Sequence, residues 1–161
     1  MDLDVSSESR AALAAQGWTK DRSVDVSALI GRLEAVGFRV DDWMRGVLGS
    51  LVGIRVSPVN EDGVNFQNGD PFVVDPLAIG VRHFSEAREL QDRFKVTFCP
   101  LGWWLCRSHV YFSTEGPVVA SLPGVIWHVG STLSEAIDMM LLGNRPLVRL
   151  LSEDGMESRD F

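Results

Sequence analysis

The feature that most constrains this chain is a change of pattern at Gly53. Before it, apolar residues recur at helical spacing: Leu29, Ile30, Leu33 and Val36 behind a candidate cap at Asp25, then Trp43, Met44, Val47, Leu48, Leu51 and Val52 behind Asp41 or Asp42. Residues three and four apart share one face of an α-helix, so both stretches predict amphipathic helices. After Gly53 come short runs rich in β-branched and aromatic residues, divided by Gly, Pro, Asn and Asp, which is the pattern of strands and turns. Helices followed by strands, rather than a regular alternation of the two, predict an α+β domain.

A first short helix is expected behind Ser7 as its cap, running through Gln16 and stopped by Gly17. Within the third helix, Gly46 and Gly49 each cost about 1 kcal/mol relative to Ala, which predicts close packing against another element. Runs 54–59 and 64–66 around the turn residues 60–63 predict a hairpin, and 72–74 a further strand ended by Asp75-Pro76. Residues 85–95, with Phe84, Ala87, Leu90 and Phe94 on one side, predict a half-exposed inserted helix. Runs 96–101, 103–107, 109–113, 118–122 and 125–129, with Gly102 among the breaks, predict an antiparallel meander. The last helix opens on Thr132-Leu133-Ser134-Glu135, a capping box, and closes at Gly143. Residues 147–151 add a strand or a helical turn, and 152–161 form a flexible acidic tail. The expected product is a single domain over 1–151: a mostly antiparallel twisted sheet packed with N-terminal helices, one inserted helix and one C-terminal helix.

Chemistry is conspicuous by its absence. His83, His109 and His128 are too scattered for a short metal motif, and Cys99 and Cys106 form neither a C-x-x-C pair nor a disulfide framework. Both cysteines read as buried apolar fillers, with a Cys–His nucleophile the lesser reading. No G-x-S-x-G elbow and no glycine-rich phosphate loop occurs. The chain is therefore expected to have no catalytic residues, no metal and no cofactor, and to act by binding.

Fifteen Lys and Arg against 22 Asp and Glu leave a net charge of −7, and no basic run offers a local exception. Such a balance repels a phosphate backbone, so nucleic acid is not expected as a direct partner. No basic n-region or apolar h-region marks a secretory signal at the amino terminus, and every apolar run falls short of the ~20 residues that span a bilayer, so a cytoplasmic location is expected. The acidity is local: residues 51–80 hold Arg55 against Glu61, Asp62, Asp70 and Asp75. Consecutive Trp103 and Trp104 must point to opposite faces of a strand. Either one of them is exposed as an interface anchor, or the sheet is covered on both faces. Glu61, Asp62 and Asp70, with Trp103 or Trp104 as anchor, are the candidate partner interface.

The order of segments resembles the SUKH superfamily of bacterial immunity proteins, in its third immunity-protein subfamily. The resemblance is carried by Gly17-Trp18 with Arg22-Ser23-Val24-Asp25, by Leu48 through Val56, by Phe72 through Pro76, by Cys99-Pro100-Leu101-Gly102, by Thr114-Glu115-Gly116, and by the closing stretch from Gly130 to Pro146. The chain departs from the subfamily pattern at Gly49-Ser50-Leu51 and at Pro117-Val118-Val119. The resemblance implies an α+β fold and a role as antidote to a polymorphic toxin, often a nuclease or nucleic-acid deaminase, with no catalytic residues to carry over. Its implied partner is a cognate toxin domain. The alternative is a non-catalytic regulatory or scaffold module that self-associates or binds another cellular protein.

Overall fold

The computed structural model describes residues 3–60 and 62–152. Three helices come first: α1 (Ser7–Ala15), α2 (Ser27–Ala35) and α3 (Asp42–Leu51). Two short strands follow, β1 (Arg55–Val56) and β2 (Phe72–Val73), then helices α4 (Pro76–Gly80) and α5 (Phe84–Phe94). Strands β3 (Cys99–Trp104), β4 (Ser108–Phe112), β5 (Val118–Leu122) and β6 (Val125–Gly130) run on, followed by α6 (Leu133–Leu142) and β7 (Val148–Ser152). The seven strands lie in chain order, each antiparallel to the next. The α+β reading stands, with α4 as a short second inserted helix. No helix among the described residues is long and apolar enough to cross a membrane. The single-domain boundary at 151 and the tail at 152–161 fall largely outside the described residues.

Local signals place most helix ends. The Asp41 carboxylate accepts from Met44 N at the start of α3, and Asp75 does the same for Ala78 N before Pro76 opens α4. At α6, Thr132 Oγ1 accepts from Glu135 N while Glu135 Oε2 reaches back to accept from Ser131 N. Gly143 closes that helix at φ +56°, a left-handed conformation that glycine adopts without a Cβ penalty. α1 begins one residue early. Its cap is Ser6, whose hydroxyl accepts from Ser9 N and donates to Asp138 of α6 at 2.9 Å, so a tertiary contact chose between two adjacent serines. Gly49 is close-packed as expected, since a Cβ there would sit 3.2 Å from Val24 O, whereas a Cβ at Gly46 would meet nothing within 4 Å.

Helices cover both faces of the sheet. On one face, α4 sets Gly80 against Pro100 of β3, and Glu86 of α5 bonds Tyr111 of β4. On the other, the start of α6 lies so close to Gly130 of β6 that a Cβ there would fall 2.5 Å from Ala136 N. Trp104, Tyr111, Phe112 and Met140 are all fully buried in the resulting core.

Two expectations are corrected here. Runs 54–59 and 64–66 do not form a hairpin: β1 pairs with β2, and the described residues of the 57–71 loop between them form no strand. That loop bonds to the end of α6, through Val59 N to Leu141 O (2.8 Å), Asn65 Nδ2 to Gly143 O (2.7 Å) and Asn68 Nδ2 to Met140 O (2.8 Å). The last carbonyls of a helix lack intrahelical donors, and these loop groups supply them. Nor does Gly102 break a strand. β3 runs through it with a register shift between Pro100 and Gly102, and a side chain at Gly102 would collide with the Val73 carbonyl of β2.

Candidate functional site

Sheet register assembles one row of side chains across the face that carries α4 and α5. Arg55 lies opposite Val73, Val73 opposite Trp103, Trp103 opposite His109, His109 opposite Ser121, and Ser121 opposite Ile126. Of these six, only Ser121 is buried. The helices thus leave this end of the sheet face partly open to solvent.

Trp103 and Trp104 divide as alternation requires. Trp104 points to the α6 face, is 0% exposed, donates from Nε1 to Asn68 Oδ1 at 3.0 Å and meets the Phe66 ring edge-on. Trp103 stays partly exposed, with the Arg107 guanidinium 5.5 Å from its ring centroid. Arg55, Asp70, Pro71, Trp103 and Arg107 line a cleft of about 380 Å³.

The turn from β3 to β4 forms one wall of this cleft. Leu105, Cys106 and Arg107 have φ of 23°, 55° and 59°, the left-handed region that non-glycine residues seldom occupy. Asp70 Oδ2 accepts from Cys106 N at 2.6 Å, and Ser108 Oγ donates to the Trp104 carbonyl at 2.6 Å. Asp70 therefore holds a strained turn that aims Arg107 over Trp103. Cys106, expected in the interior, is exposed because it sits in this turn. Cys99 is buried, and burial, aided by the negative charge of Asp41, pushes its thiol up and keeps it protonated.

Of the residues singled out from sequence, the fold brings Asp70 and Trp103 into one cleft. Asp62 is exposed on the 57–71 loop, Trp104 is interior, and Glu61 lies outside the described residues. The cleft also contains Arg55 and Arg107, so its charge is mixed rather than acidic.

A second group had no sequence signal strong enough to find it. His109 Nδ1 lies 2.7 Å from Glu86 Oε2, and the Tyr111 hydroxyl donates to the same oxygen at 2.8 Å. The His83 ring lies 4.2 Å, centroid to centroid, from that of His109. His83, Glu86 and His109 edge a groove of about 550 Å³ between α5 and the β5–β6 turn, which Glu89, Arg93 and Pro123 also line. His83 and Glu86 stand three apart, a spacing that puts two side chains on one helical face, but the arrival of His109 is set by the docking of α5 on β4.

Burial raises the Glu86 pKa, yet hydrogen bonds from His109, Ser121 and Tyr111 outweigh it and hold the carboxyl below its usual value. Burial and the charge of Glu86 push the Tyr111 phenol up, so it remains a donor. A carboxyl depressed in the folded state contributes stability above its unfolded pKa of about 4.3 and loses it as pH falls through the lower folded value. The stability gap between the wild type and Glu86→Gln is therefore expected to be widest near neutral pH. It should close as pH falls below about 4, as urea unfolding at a series of pH values would report. A gap that stays constant through the acid range would remove Glu86 as a source of pH dependence.

Comparison with curated proteins returned no match, and neither did comparison with solved structures. The family model for the SUKH-3 immunity protein matches residues 5–143. That span runs from just before α1 to the glycine that closes α6, and so includes the cleft at Trp103 and the His83–Glu86–His109 group. The chain belongs to the SUKH-3 immunity protein family.

Proposed function

We propose that this chain is the antidote of a polymorphic toxin: it binds a cognate toxin domain, a nuclease or a nucleic-acid deaminase, in the producing cell's cytoplasm and occludes the toxin's active site without performing chemistry of its own. Family membership makes a toxin the partner, and the partly exposed Trp103 in its cleft is the observation that carries the choice of surface. A large aromatic ring held by a cation and bordered by polar groups suits the buried centre of a protein interface. Asp62, with Glu61 beside it in sequence, adds negative charge on the adjoining loop, where it can stand in for the phosphates that a basic nuclease cleft holds. Asp70 contributes by fixing the turn that carries Arg107. The same net charge of −7 disfavours direct contact with nucleic acid.

Co-expression with the carboxy-terminal domain of each secreted protein encoded nearby tests the reading. Rescue of growth by this chain, together with co-purification of the pair, is the expected result. Rescue of none would overturn it, and stable capture of a non-toxic cellular protein instead would favour a scaffold role. Charge reversal of Glu61, Asp62 and Asp70 together should weaken toxin binding most at low salt, since exposed charges are screened as salt rises. Unchanged affinity at low salt would end both the phosphate mimicry and the part given to Asp70, and would leave the antidote role standing.

A further inference from the structure

We propose that His83, Glu86 and His109 form a binding site for one transition-metal ion of the zinc type. These are the one such group among the described residues, with their ligand atoms all within 4.8 Å of one another. Two imidazoles and one carboxylate are a donor set that zinc takes in sites with an open fourth position. Calcium and magnesium call for six or more oxygen donors or a largely hydrated shell, and this group offers neither. Tetrahedral zinc with bonds of about 2.0–2.2 Å sets its donors about 3.4 Å apart, so the site closes when the most distant donor moves inward and the 2.7 Å hydrogen bond between His109 Nδ1 and Glu86 Oε2 opens to let the ion replace its proton.

The surroundings favour that movement. His83 occupies the N-cap position of α5, where its side chain makes no capping hydrogen bond, so helix geometry does not hold its ring. Glu86 and His109 are anchored instead, one on α5 and the other on β4, with the Tyr111 hydroxyl donating to the same carboxylate oxygen that meets His109 Nδ1. Metal ligands are commonly oriented by such outer partners. The fourth position opens to the groove lined by Glu89, Arg93 and Pro123, where water or a side chain of a bound protein completes the tetrahedron. This inference stands apart from the antidote reading, and either can fail without the other.

The test uses the full chain stripped of metal with a chelator and titrated with zinc in competition with a chromogenic indicator. Cys106 is an exposed thiol, so the measurement is made on Cys106→Ser as well. One equivalent bound with micromolar affinity or tighter is expected in both. His83→Asn and His109→Asn should each weaken it by at least about 100-fold while circular dichroism confirms that the fold persists. Tyr111→Phe should weaken it less. Cobalt in place of zinc should give the visible absorption of a tetrahedral ion. Absence of stoichiometric zinc, affinity unchanged in His83→Asn, or binding lost with Cys106→Ser would each overturn the proposal.

Discussion

Asn68→Ala is expected to lower stability by about 2–6 kcal/mol, because it strands two buried polar groups at once, each costing about 1–3 kcal/mol. Asn68 is 0% exposed. Its Oδ1 accepts from the Trp104 indole at 3.0 Å, and its Nδ2 donates to the Met140 carbonyl at 2.8 Å. One side chain thus joins the 57–71 loop, the interior tryptophan of β3 and the end of α6. Urea unfolding should show a lower midpoint with an unchanged slope, the mark of altered stability rather than an altered unfolded state. Asn65→Ala, which removes one part-buried bond to Gly143 O, should cost about 1 kcal/mol and serves as the internal comparison. Equal losses in the two variants would mean that the Trp104 indole finds another partner. The loop also carries Asp62, so loosening it should weaken toxin binding beyond what the loss of folded protein explains.

The second large effect separates adjacent tryptophans. Trp103→Ala is expected to weaken binding of the cognate toxin by about 30- to 1,000-fold, the range of an aromatic hot spot worth about 2–4 kcal/mol. Its effect on stability should be small beside that of a fully buried tryptophan, because the ring is partly exposed and lies under the exposed Arg107 guanidinium. Trp104→Ala should do the reverse. It empties a fully buried site and leaves Asn68 Oδ1 without its donor, for a loss of about 3–5 kcal/mol of stability, with affinity of the remaining folded protein little changed. Calorimetric titration of both variants against the toxin domain, paired with urea unfolding, distinguishes the two. Full affinity in Trp103→Ala would move the contact away from this cleft and leave the antidote role in place.

The fate of the tandem tryptophan marks where sequence reading reaches its limit. Alternation along a strand settles that Trp103 and Trp104 face opposite ways, whatever surrounds them. Which of them is exposed depends on how far the helices on each face extend, and no residue near position 103 encodes that. Trp104 is covered by packing around α6 and the 57–71 loop, and α4 and α5 stop short of covering Trp103. The histidines show the same limit. His83 and Glu86 sit on one helix end and are readable as a pair, but His109 joins them only because β4 pairs with β3 in one register and α5 lies across it.

What the sequence determined by itself is therefore the set of interactions that close within about one helical turn or one strand period. The Asp41 and Thr132–Glu135 caps, the stop at Gly143, the α+β order, and the segment order that places the chain among SUKH-3 immunity proteins all belong to that set. What only the tertiary structure decided are choices between partners distant in the chain. The 57–71 loop gave up a local hairpin because Val59, Asn65 and Asn68 meet helix-end carbonyls more than 70 residues away. β3 continues through Gly102 because the β2 backbone approaches there too closely for any side chain. Backbone polar groups must be paired, but their chemistry does not name the partner. Packing names it, and with it the cleft at Trp103 and the cluster at His109.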